Sequence, residues 1–183
     1  MNTTEIIDQV KHWLNEVVIG LNLCPFAKYP VLENRVRYTV TDATTEEILL
    51  EALALELKLL EKNHTLETSL IILPGMLQDF YDYNQFLDYA DALLEQMSLI
   101  GTIQIASFHP QYQFADTEPD DVENYTNRAP FPILHLLKES SVEKAVAHHP
   151  DCDQIPENNI KLLRKLGKEK MVAKLAAACL NKP

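Results

Sequence analysis

The sequence predicts an α/β fold: a small, mainly parallel three-stranded sheet built strand–helix–strand–helix–strand, with an N-terminal helix and a helical C-terminal extension. Three observations predict it. Val36, Tyr38 and Val40 alternate with Arg35, Arg37 and Thr39, the pattern of a strand with one buried face. Ser69 to Leu73 is a short continuous apolar run ended by Pro74-Gly75, as expected of a central strand. Ile103 and Ile105 alternate with Thr102 and Gln104 before Phe108, giving a third strand over 101–108.

The helices follow from spacing and punctuation. Ile6, Val10, Trp13, Val17 and Leu21 lie on one helical face over residues 4–21, and Gly20, Asn22 and Pro25 stop it. Cys24 precedes Pro25, so a short second helix is expected with Cys24 at its N-cap. Thr44 with Glu47 reads as a capping box opening a leucine-rich helix to about Lys62. Tyr83, Leu87, Ala90, Leu94 and Met97 mark a helix from Asp79 to Ser98. Short helices are expected near 131–139 and 140–148. Another starts at Pro156 with Ile160, Leu163 and Leu166 inward, and a last one from Lys168 carries Met171, Leu175 and Leu180.

The chain has 183 residues, enough for a single domain over 1–183, with a sheet core in 1–115 and the loop and helical extension in 116–183. A chain of this size buries roughly 70% of its unfolded surface, so a real core is available. Net charge is −11, from 16 basic and 27 acidic side chains. That opposes capture of nucleic acid and of anionic lipid, both of which need clustered Lys and Arg. It leaves small ligands, including anions held in a local basic pocket. The N-terminal residues lack the basic head and apolar run of a signal peptide, and no apolar stretch is long enough to span a membrane. Three cysteines without framework spacing fit free thiols in the cytoplasm. Neither a cofactor nor an oligomeric state can be read from the chain.

In open α/β sheets ligands bind beyond the carboxyl ends of the strands, here Thr41-Asp42, Pro74-Gly75 and Phe108-His109-Pro110. The last opens a long loop pinned by prolines and rich in aromatics, the kind of segment that carries function. Cys24, His109 and His135 are the candidate catalytic residues. At a helix N-cap the Cys24 thiol would have a lowered pKa and serve as nucleophile, with His109 or His135 as base; otherwise it is a small buried hydrophobe. His109 is a general acid or base, or an imidazole that holds the loop. Asn127 and Arg128, before Pro130 and Pro132, form an anion clamp helped by Arg37, or Arg128 staples the loop to Asp120 or Asp121. Tyr112, with Phe114 and Phe131, lines a pocket or seals the loop onto its core.

His135 stands four residues before Glu139, which puts both on one helical face. That pair could share a metal with His109 and Cys24, although no paired-ligand motif exists; a capping or core histidine is the other reading. The run from His148 to Asp153 reads as a helix end and turn rather than a metal cluster. There is no Gly-rich phosphate loop, dinucleotide fingerprint, Gly-x-Ser-x-Gly elbow or Cys-x-x-Cys pair, so those chemistries fall. What remains is an enzyme acting on a small anionic metabolite, a non-catalytic ligand- or metal-binding module using the same pocket, or a protein in which these residues only hold the loop.

Several blocks occur together: Trp13; Val18-Ile19-Gly20-Leu21-Asn22-Leu23-Cys24-Pro25-Phe26-Ala27; Phe108-His109-Pro110; and Thr126-Asn127-Arg128-Ala129-Pro130-Phe131-Pro132 leading into His135-Leu136-Leu137-Lys138-Glu139. In these the chain resembles the bacterial domain-of-unknown-function family numbered 1415, over nearly its whole length. Members commonly read Ser-Pro-Tyr-Pro where this chain has Ala129-Pro130-Phe131-Pro132, which removes a hydroxyl role at 129 and 131. The resemblance implies a soluble bacterial single-domain protein and implies no activity.

Overall fold

A computed structural model describes residues 1–149 and 151–180. Pro150 of the His148–Asp153 run and the side chain of Leu180 lie outside the described set. Helix α1 (Thr3–Trp13) is opened by Asn2, whose side chain accepts from the Glu5 N–H while the Glu5 carboxylate accepts from the Asn2 N–H. The expected single helix to residue 21 changes character at Leu14. Residues Leu14–Ile19 form a π-helical segment, closed by bonds such as Gly20 N–H to Asn15 O at 2.9 Å. Gly20 is required there, because a Cβ would sit 2.6 Å from the Glu16 carbonyl oxygen. The second helix, α2 (Lys28–Leu32), starts four residues after Cys24 and has Ala27 at its cap position. Cys24 is therefore not an N-cap.

The next elements follow the predicted order: β1 (Val36–Val40), α3 (Glu46–Lys62), β2 (Thr68–Ile72), α4 (Phe80–Gln96) and β3 (Ile103–Phe108). Thr45 rather than Thr44 caps α3, accepting from the Ile48 N–H, and Asp79 caps α4. The fourth strand, β4 (Ile133–Lys138), lies where a helix was expected. It enters the sheet between β2 and β3, giving the order β1-β2-β4-β3. Strands β1, β2 and β3 point one way. β4 runs against both its neighbours, pairing Leu70 with His135 on one side and Ala106 with His135 on the other. The predicted three-stranded sheet is thus four-stranded and mixed, and residues beyond 116 contribute a central strand to it. A short apolar run such as Ile133–Leu137 fits a buried strand or a helix equally well by pattern. The slot decides: Ile133 and Leu134 are both fully buried, and they face opposite sides of the sheet.

Helix α5 (Glu139–Ala147) follows β4, and α6 (Ile155–Leu166) and α7 (Lys168–Leu180) close the chain. Two cores sandwich the sheet. One packs α3 and α4 onto Ile71, Leu134, Leu136 and Ile103. The other packs α1, the π segment, α6 and α7 onto Leu70, Ile72 and Ile133.

The α3 core contains one charge that the leucine pattern hides. Glu56 stands on the buried stripe with Leu49, Leu53 and Leu60 and is 5% exposed. Its carboxylate accepts from Arg37 Nε at 2.7 Å, Ser69 Oγ at 2.5 Å and Thr39 Oγ1 at 3.3 Å. The polar alternates of β1 are thus drawn onto α3, which accounts for the strand pattern read from the sequence. Removing the carboxylate leaves the fully buried Ser69 hydroxyl without its acceptor. Glu56→Ala is expected to destabilise the fold by about 3 kcal/mol in urea unfolding, and an unchanged midpoint would contradict this account.

Candidate functional site

The carboxyl ends of β1, β2 and β3 and the start of β4 share one edge of the sheet. The loop from His109 to Pro132 connects β3 to β4 across that edge. Tyr83 of α4 closes the ladder where the loop departs: its hydroxyl donates to Ile133 O at 2.7 Å and accepts from Phe108 N–H at 3.2 Å. The phenol is fully buried, and burial pushes its pKa well above the usual range.

Within the loop four of the expected residues meet. His109 is fully buried, with its ring against Phe80 and Tyr83 at centroid distances of 5.3 and 5.1 Å. Its Nδ1 accepts from the Gln111 N–H at 3.0 Å, so Nε2 carries the hydrogen and donates to Leu77 O at 3.0 Å. Both ring nitrogens are engaged, and burial pulls the pKa down. The backbone of His109 bonds Asn127 O and the Ala129 N–H. Asn127 Nδ2 donates to Ser107 O at 3.2 Å. Arg128 donates from Nε to Tyr112 O at 3.2 Å and from Nη2 to Pro119 O at 2.7 Å, and lies over the Tyr125 ring at 4.5 Å. The staple runs to carbonyls, while Asp120 instead pairs with Lys168. Tyr112 packs on Phe80 and Phe114.

At the loop's centre sits a residue the sequence reading missed. Asn124 is fully buried; its Oδ1 accepts from the Phe114 N–H at 3.0 Å and its Nδ2 donates to Glu118 O at 2.8 Å. Asn124 stands between Glu123 and Tyr125 in an irregular loop, where no periodic signal singles it out. Trp13 clamps the knot from the other side, donating from Nε1 to Arg128 O at 3.0 Å and meeting Phe108 edge-on.

The remaining three candidates lie apart from this knot. Arg37 belongs to the Glu56 cluster on β1, three strand spacings from β3, or about 14 Å. Cys24 packs against the α1-side core, with its thiol near the Phe26 and Ala27 backbone N–H groups. Burial outweighs those two donors and pushes the thiol's pKa up, opposite to the expected direction. His135 is a strand residue and Glu139 the first residue of α5, so the helical pairing of the two does not exist.

His135 has the most distinctive surroundings of the set. Its Nε2 lies 2.6 Å from Thr68 Oγ1, which also lies 2.6 Å from Leu136 O. A hydroxyl has one hydrogen; a carbonyl can only accept, so Thr68 donates to Leu136 O and accepts Nε2–H from His135. The tautomer is therefore fixed. The Nδ1 lone pair has no hydrogen-bond partner among the described residues, and no buried polar side-chain atom is left unsatisfied, so Nδ1 meets solvent. Burial pushes the pKa down to about 4, yet the residue keeps partial exposure. Phe108, at 5.9 Å, is its aromatic neighbour.

A family model described as "Protein of unknown function (DUF1415)" matches residues 5–173. The chain belongs to this family. Its blocks around Trp13, Phe108-His109-Pro110 and Asn127-Arg128 are those that tie this DUF1415 chain's loop together. No curated protein and no solved structure matches it. Among the described residues, no helix of this DUF1415 member is long and apolar enough to cross a membrane, and no three His, Cys, Asp or Glu side chains converge to hold a metal ion.

Two outcomes follow. In native protein Cys24 alkylates more slowly than the exposed Cys179, and the difference disappears in denaturant; peptide mass spectrometry reads both, and faster reaction at Cys24 would contradict its burial. His135 protonates only near pH 4 when folded but near 6.5 when unfolded. Between those values the unfolded chain binds more protons, so stability falls as pH drops from 6.5 to 4, by at most about 3 kcal/mol from this group. Unfolding of wild type and His135→Phe across that window checks it: the variant should lose this part of the slope.

Proposed function

We propose that this domain binds a small molecule at the partly covered sheet face, with His135 Nδ1 as its hydrogen-bond acceptor. The observation that carries the reading is the relay from His135 Nε2–H to Thr68 and on to Leu136 O, which orients a neutral imidazole and leaves one nitrogen open. Holding the second nitrogen of a working imidazole is the usual way a protein sets its tautomer. The low pKa favours accepting a hydrogen bond over taking a proton, because an efficient general base titrates near the working pH.

Catalysis through Cys24 and His109 has less support. The Cys24 thiol is held protonated by burial, and His109 spends both nitrogens on the loop. An anion clamp at Asn127 and Arg128 is weakened in the same way, since their bonds run to backbone carbonyls. These residues shape the edge beside the ligand rather than touch it. The three free thiols support a cytoplasmic setting.

A screen of neutral, anionic and cationic fragments followed by imidazole nitrogen NMR tests the reading. Bound fragments should move the His135 ring signals, and His135→Leu should abolish their binding while the melting temperature stays near wild type. Hits that bind His135→Leu as tightly as wild type would overturn it.

A further inference from the structure

We infer that the outer face of α3 is a self-association surface, on which two copies of this chain pair their α3 helices antiparallel about a two-fold axis near Leu55. The argument starts from a second apolar stripe on that helix. The first stripe, Leu49, Leu53, Leu57 and Leu60, is buried against the sheet and α4. The second is Ile48, Ala52, Leu55 and Leu59, whose spacing of four, three and four residues places them on one face. It faces outward: Leu55 is 69% exposed and Ile48 46%, while Ala52 and Leu59 are half-buried. A helix that is apolar around most of its circumference is normally covered on both sides. This one is covered on one side only.

The charges beside the stripe identify the occupant as a second copy. Glu51 and Lys58 lie along its solvent flank, two turns or about 10 Å apart, so they cannot pair on one helix. Both are exposed, and among the described residues neither takes part in an ion pair. A second α3 turned antiparallel about Leu55 sets Glu51 of each copy beside Lys58 of the other. The same rotation puts Leu55 against its own copy and each Ala52 against a Leu59, small against large, as interdigitating helices require. Ile48 then reaches the far end of the other helix, where Lys58, Leu59 and Lys62 line a shallow depression with Asn63, His64 and Thr65. A parallel pairing would set Glu51 level with Glu51 and Lys58 level with Lys58.

The pairing uses the same patch on both chains, so it closes at two copies. Four apolar side chains over about three turns make a small interface, and small interfaces give concentration-dependent dimers rather than obligate ones. The net charge of −11 on each chain repels copies in other orientations, so the local Glu–Lys complementarity selects this face. Helix α3 lies across the sheet from His135, whose cross-strand neighbour Leu70 belongs to the α1-side core. The inference therefore stands apart from the binding reading above.

Sedimentation velocity of the full chain across a concentration series tests it. Wild type should pass from monomer to dimer as concentration rises. Leu55→Glu sets two carboxylates at the axis and should weaken the dimer by more than about tenfold, since like charges then face each other. Glu51→Lys alone should also weaken it. Glu51→Lys combined with Lys58→Glu should restore it, because the exchanged pair again matches an antiparallel copy. Every position changed is exposed, so urea unfolding of the variants should match wild type, and rescue by the double exchange separates lost pairing from lost folding. A chain that stays monomeric at the highest concentration, or a dimer that Leu55→Glu leaves intact, would overturn the inference. So would a double exchange that stays as weak as Glu51→Lys alone.

Discussion

The antiparallel entry of β4 between β2 and β3 is the constraint on which the rest depends. The α4 crossover carries the chain one place past the neighbouring position and leaves a slot open. Filling that slot satisfies two rows of backbone donors and acceptors at once, which an isolated helix at the same residues could not do. It sets Phe108 of β3 directly opposite Ile133 of β4, two ends that a tight hairpin could join. The loop from His109 to Pro132 is far longer than that connection needs, and its polar groups need partners inside itself. Asn124, Asn127, Arg128 and His109 supply them, and Tyr83 seals the end of the ladder.

The conspicuous side chains of the loop are engaged with backbone groups. His109 bonds Leu77 O and the Gln111 N–H, Asn127 bonds Ser107 O, and Arg128 bonds Tyr112 O and Pro119 O. Prolines remove donors and fix direction, and the remaining backbone atoms are met by amide, guanidinium and imidazole groups whose planar shapes suit that task. Trp13 adds a long-range tie, since its indole bonds a carbonyl 115 positions away. The N-terminal helix and the loop are therefore stabilised together.

The same sheet treats its two faces differently. Towards α3, the polar alternates of β1 and β2 converge on a single buried carboxylate that takes three donors. Towards α1, Thr68 and His135 form a relay that ends in a backbone carbonyl and leaves one ring nitrogen unspent. The first cluster holds α3, β1 and β2 in register; the second fixes the His135 ring and leaves its Nδ1 to solvent.

The sequence by itself determined the strands and helices whose periodicity is set locally: β1, β2, β3, α3, α4, α6 and α7 all lie within a few residues of their expected places, because side-chain spacing alone reports which face is buried. It also marked the loop between His109 and Pro132 and the residues that make it distinctive. Only the tertiary structure decided what those residues do. The run from Ile133 to Lys138 becomes a strand because a slot awaits it, Glu56 is buried because three donors from other elements reach it, and the Cys24 thiol is raised because the α1-side core surrounds it. His135 moved from a supposed helix face to the middle of the sheet, and its fixed tautomer depends on Thr68, 67 positions earlier. Each of these follows from contacts between distant segments, which no local pattern encodes.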